Sequence, residues 1–82
     1  MSTMIKQKVY PGFSLGEKVE VRSIQNNQLY RFKGFVSRAN RKLEKDFYFV
    51  IAEDQSLHGV FHASSIMLLD EKGEPIYRSP GP

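Results

Sequence analysis

Cysteine is absent from this chain, so neither disulfide staples nor thiolate metal sites can hold it together. Tryptophan is absent too, and proline is scarce: of four prolines, three come after Glu74. No apolar run approaches the roughly 20 residues of a membrane span. The opening MSTMIKQKVYPG lacks the apolar stretch of a secretory signal. These absences predict a cytoplasmic location and no membrane partner. There is no glycine-rich phosphate loop, and histidine is limited to His58 and His62.

What is present suits one small domain. At 82 residues there is room for a single core. A composition 40% hydrophobic and 26% charged is that of a globular chain. Six Phe and four Tyr supply large apolar area, which is how a short chain can fold without metal or disulfide. The expected layout is a flexible N-terminal arm over 1–12, a folded body over 13–70 and a Pro-rich C-terminal tail over 71–82.

The body reads as strands. After a turn at Gly16, Val19 and Val21 alternate with Lys18, Glu20 and Arg22, the period of a strand buried on one face. Phe13 and Leu15 are placed to close over one end of the core. Ser23 to Gln28 is polar and turn-prone, and reads as a first long loop. A second strand over 29–39 sets Tyr30, Phe32, Gly34 and Val36 on one side, with Arg31, Lys33, Phe35 and Ser37 on the other. Gly34 in mid-strand signals either a bulge or a close backbone approach. A bulge would turn Phe35 inward; a regular strand leaves it among Arg31 and Lys33. Residues 40–45 form a connecting loop. Phe47 to Ala52 is apolar on both faces and reads as a central strand, covered on both sides or wrapped inside a barrel. Glu53 to Ser56 is a turn, Leu57 to His62 a fourth strand, Ala63 to Ser65 a single tight turn, and Ile66 to Leu69 a short last strand.

Charge is unevenly spread. Between Arg31 and Lys45 stand six cationic side chains (Arg31, Lys33, Arg38, Arg41, Lys42, Lys45) against one acid, Glu44. From Asp46 to Pro75 there are six acids against Lys72. One part of the surface is therefore electropositive and suits an anionic partner.

Five short strands, a long first loop, two hairpins and a one-turn link into the last strand resemble an all-β, five-stranded SH3-like small barrel. GEKVEVRS at Gly16 to Ser23, the strand with Gly34, then DFYFVI, HGVFH and ASSIMLL are similar to Tudor and agenet-type modules. That resemblance implies a binding module, with methylated lysine or arginine held in an aromatic cage. Tyr30, Tyr48 and Phe61 are the cage candidates by residue type. Type II dihydrofolate reductase also has such a barrel. Its substrate-contacting strand Val-Gln-Ile-Tyr would fall at His58-Gly59-Val60-Phe61, which lacks the glutamine and tyrosine, so that activity is not expected.

Other constellations carry less. His58 and His62 on one strand stand roughly 13 Å apart, too far to share a metal. Ser64 and Ser65 beside His62 have no oxyanion-hole or nucleophile-elbow pattern around them. The expectation is therefore a non-enzymatic module without cofactor or metal. It would bind RNA, DNA or another polyanion through Arg31, Lys33, Phe35, Arg38, Arg41, Lys42 and Lys45, with Phe35 available for stacking. The alternative is a protein-interaction adaptor or regulator using barrel-face rings or an edge strand. Either would be a monomer or a small homo-oligomer.

Overall fold

The computed structural model describes residues 10–38 and 42–76. Most of the expected arm, Arg41, and the tail after Ile76 lie outside the described residues. The described chain is all-β: β1 Lys18–Gln25, β2 Gln28–Ser37, β3 Phe47–Ala52, β4 His58–His62, β5 Ile66–Leu69 and β6 Pro75–Ile76. A single 3-10 turn, Ala63–Ser65, links β4 to β5. The strands form one antiparallel sheet in the order β4-β3-β2-β1-β5-β6. Among the described residues no pairing joins β4 to β6, so the sheet is open, with six strands where five were expected. The sixth comes from the segment read as tail: Pro75 and Ile76 pair with Leu69 and Leu68. Asp70 closes that hairpin, its carboxylate accepting the Lys72 and Glu74 backbone N–H groups at 2.9 and 2.8 Å.

The sheet rolls around its own inner face. Val19, Val21, Val36, Val50, Phe61 and Ile66 form one buried cluster, with Phe13, Phe32, Tyr48 and Leu68 packed on it. Phe61 on β4 and Ile66 on β5 come from strands separated by three others, so the sheet must curl to join them. The short 63–65 link makes that economical in chain length. Val19, Val21 and Val50 are fully buried, each contributing about 1.5–3 kcal/mol relative to exposure. Phe13 covers one end as expected, its ring edge-on to Tyr48 at 5.2 Å. Leu15 does not, being 58% exposed beside the Gly16 turn.

The expected long loop over residues 23–28 is instead a two-residue hairpin turn with its flanking strand ends. β1 runs on to Gln25 and β2 starts at Gln28, in register from Lys18↔Phe35 to Gln25↔Gln28. Asn26 and Asn27 alone make the turn, with φ of 52° and 63°. Two successive positive φ values are those of the hairpin turn whose twist matches its strands, and asparagine tolerates them better than most residues.

Gly34 is explained by close approach, not by a bulge. β2 pairs without interruption with β1 on one side and with β3 on the other, Gly34 facing Val19 and Ala52. A Cβ at Gly34 would lie 2.1 Å from the Ile51 carbonyl oxygen. The rolled sheet brings two backbones together there, and only glycine leaves room.

Candidate nucleic-acid interface

Unbroken alternation through Gly34 decides where Phe35 points. Its neighbours Gly34 and Val36 are buried, and Phe35 is 42% exposed on the outer face. Arg31 and Lys33 share that face of β2 and are exposed. Across on β1 stand Lys18, Glu20 and Arg22, opposite Phe35, Lys33 and Arg31 in turn. Opposite charges directly across a ladder attract, and like charges repel. Glu20 is therefore the organising anion of this face: only 5% exposed, it accepts from Arg22 Nε at 2.6 Å and has Arg31 Nε at 4.0 Å. One carboxylate facing two guanidiniums leaves the rung Arg22–Arg31 net positive. Lys33 donates to the Gly73 carbonyl at 3.3 Å, and Lys18 pairs with Glu53 at 3.3 Å. Such exposed contacts are worth roughly 0–1 kcal/mol; Lys33, bonded to a neutral carbonyl, keeps its full charge, whereas the Lys18–Glu53 pair is neutral at long range.

On its other flank Phe35 meets apolar neighbours that the sequence pattern assigned to the core. β3 was expected to be covered on both faces. Val50 and Ala52 are buried as expected, but the outward set Phe47, Phe49 and Ile51 is only half-buried. Ile51 lies between Phe35 and His58 across the ladder, and Phe49 opposite Val60. The Phe49 ring tilts toward His58 at 5.7 Å between centroids. Beyond it Lys42, Leu43 and Glu44 border a surface recess of about 290 Å³ with Phe47 and Val60. Of the remaining cations, Arg38, Lys42 and Lys45 are exposed around the end of this hairpin. The outer face thus runs from a cationic half on β1 and β2 to an aromatic half on β3 and β4, with Phe35 at the junction.

No family model, curated protein or solved structure matches this chain at a significant level. Its chemistry must be read from its own side chains. The three cage candidates occupy different environments: Phe61 is buried and packs on Phe32 at 5.6 Å. Tyr48 packs on Phe13, and Tyr30 lies out along the hairpin with its hydroxyl donating to Gln28 Oε1 at 3.2 Å. Among the described ring contacts none joins Tyr30 to either of the others.

The histidines point outward. His62 Nδ1 accepts the Ser64 backbone N–H at 3.2 Å and shares a 2.9 Å hydrogen bond with its hydroxyl, capping the 3-10 turn. Tyr10 and Phe47 pack edge-on to the His62 ring. Among the described residues no group of three potential metal ligands converges. No helix among them is long and apolar enough to cross a membrane.

Phe49 and Ile51, which join His58 and Val60 in one outward row, are what the sequence pattern did not single out. Their signal was present in the unbroken apolar run of β3, which reads equally as a strand covered on both faces and as one carrying an apolar binding surface.

Proposed function

We propose that this chain is a non-enzymatic SH3-like binding module, with the Tudor and agenet-type likeness at the level of strand pattern. Its outer sheet face takes RNA or DNA. The placement of β1 between β2 and β5, and the one-turn link from β4 to β5, support the SH3-like reading. The observation that carries the function is Phe35, exposed on the same strand face as Arg31 and Lys33. A nucleic acid strand offers phosphates at a spacing that Lys and Arg follow, and bases whose faces stack on an aromatic ring. Phe35 stacks, Arg31, Lys33, Arg38, Lys42 and Lys45 meet phosphate, and the half-buried Phe49 and Ile51 extend the apolar surface. Arg41, outside the described residues, adds to the same charge run. None of these Phe35-face groups reads base edges, so affinity at that face is electrostatic first and sequence-tolerant.

Purification from lysate with and without nuclease tests this directly. Nucleic acid retained on the untreated protein, and lost when Lys42→Glu and Lys45→Glu are introduced together, is the expected outcome. A protein partner that survives nuclease and high salt would favour the adaptor reading instead. One feature supports that second reading: among the described strands β4 ends the sheet, beside the apolar Phe49–Val60 pair.

A further inference from the structure

The β1–β2 hairpin extends beyond the sheet that anchors it. β5 pairs with β1 only over Val19–Val21, and β3 pairs with β2 only over Gly34–Ser37. Arg22–Gln25 and Gln28–Arg31 therefore form four rungs with no third strand among the described pairings. Such a ribbon is marginal by itself, and natural proteins shorten or cover surplus edges of this kind. Here the ribbon instead carries a graded outer face. From the body outward the cross-strand pairs are Glu20–Lys33, Arg22–Arg31 and Ile24–Leu29, closed by the Asn26-Asn27 turn. Ile24 and Leu29 are 76% and 68% exposed, the two most exposed large hydrophobic residues of the described chain.

We infer that this free ribbon enters the major groove of duplex DNA, an interaction that rests on the nucleic-acid reading of the sheet face and extends it to a second kind of strand. Directly opposed arginines repel each other, and Glu20 compensates one of them. With one carboxylate against two guanidiniums the rung keeps one excess positive charge, which a phosphate can balance. Two cationic faces of this kind would oppose each other, which disfavours a second copy as the occupant. A lipid surface fits less well, because the aliphatic pair lies behind four amide side chains, Gln25 to Gln28, at the tip.

The dimensions suit a DNA groove. Two strands about 4.8 Å apart with their side chains fill a width of about 10 Å, within a B-form major groove about 12 Å wide and 8.5 Å deep. From Gln25 back to Arg22 is about 10 Å at strand rise, so amides at the groove floor place the guanidiniums at the phosphate rim. The amides of Asn26 and Asn27 at the turn match adenine N6 and N7, and aliphatic side chains match the thymine methyl. The major groove of A-form RNA is too deep and narrow for this entry.

The test uses the full chain with fluorescent duplex DNA of about 20 base pairs, the RNA duplex of the same sequence, one single strand and anionic phosphatidylserine vesicles. Asn26→Gly with Asn27→Gly keeps the positive-φ turn and removes both amides. Ile24→Ser with Leu29→Ser changes only exposed side chains. Expected results are duplex DNA bound about tenfold tighter than duplex RNA, and a loss of about tenfold on duplex DNA in each variant. Single-strand affinity should be retained. Circular dichroism checks that each variant is folded. Duplex affinity unchanged in both variants, equal affinity for duplex RNA, or vesicle binding that the serine variant abolishes would each overturn the inference. So would a dimer in light scattering that the serine variant dissolves. Single-strand binding that depends on Phe35 would survive all of these results, so failure of the ribbon and failure of the sheet face are told apart.

Discussion

Replacing Gly34 by alanine tests the geometry on which the outward Phe35 depends. The added Cβ would meet Ile51 O at 2.1 Å, Ile51 C at 2.8 Å and Ala52 Cα at 2.9 Å. All three are backbone atoms, so no side-chain rotation relieves the clash. β2 and β3 must separate by more than an ångström at the Gly34↔Ala52 rung to restore ordinary contact. Overpacking of this kind costs about 1–3 kcal/mol. Parting the strands also stretches the Glu53 N–H to Lys33 carbonyl bond of 3.1 Å, worth about 1 kcal/mol. The sum is about 2–4 kcal/mol, a large share of the roughly 4–12 kcal/mol expected for a domain of this length. Urea unfolding followed by far-ultraviolet circular dichroism would read it as a lower midpoint with an unchanged slope. A Gly34→Ala variant within about 0.5 kcal/mol of the parent would refute the close approach.

Three further outcomes are expected. Asn26→Val places a β-branched residue at φ 52° and should lower stability by about 1–2 kcal/mol in the same urea assay, whereas Asn26→Gly should be neutral or better. Glu20→Gln removes the carboxylate between Arg22 and Arg31 and should cost about 1 kcal/mol of stability. It should also raise low-salt affinity for an oligonucleotide by up to roughly fivefold, as read by fluorescence anisotropy. At Asp54 the Ser56 hydroxyl and then the Ser56 backbone N–H hold the carboxyl below its ordinary value of 3.8. A lowered folded pKa contributes stability above the ordinary value that is lost as pH falls through the folded one. Asp54→Asn should accordingly weaken the pH dependence of stability below about pH 4, measured by urea midpoints across that range.

Much of the fold was legible because its signals are local. Val19 and Val21 alternating with charges, the apolar run from Phe47, and the stops at Glu53 and Asp70 mark strands by period and punctuation alone. The Asn26-Asn27 hairpin is hidden in the sequence because its polar residues suit a loop as well as a turn. The positive-φ tolerance of asparagine was the better guide, and it converts the same six residues into a strand end, a turn and a strand start. β6 was hidden because Pro75 in a Pro-rich stretch argues against a strand; at a sheet edge its missing N–H costs nothing. The site was half legible. Arg31, Lys33 and Phe35 follow from simple alternation, but whether Gly34 shifts that alternation is set by how closely β2 passes β3. No sequence period encodes that distance. The half-exposed row Phe47, Phe49 and Ile51 was equally out of reach, since an apolar residue looks the same to a periodicity argument whichever face is covered.

The proposed nucleic-acid binding rests on Phe35, at the junction between the cationic and aromatic halves of the outer sheet face. The salt dependence of binding to one single-stranded oligonucleotide, measured for the parent and for Phe35→Ala, tests it most directly. Each phosphate contact contributes about −0.7 to the slope of log affinity against log salt, so several contacts predict a slope steeper than about −2. Phe35→Ala should keep that slope and lower affinity at every salt concentration by the about 1–3 kcal/mol of one stacked base. A flat salt dependence, or an affinity indifferent to Phe35, would rule out nucleic-acid binding by this face.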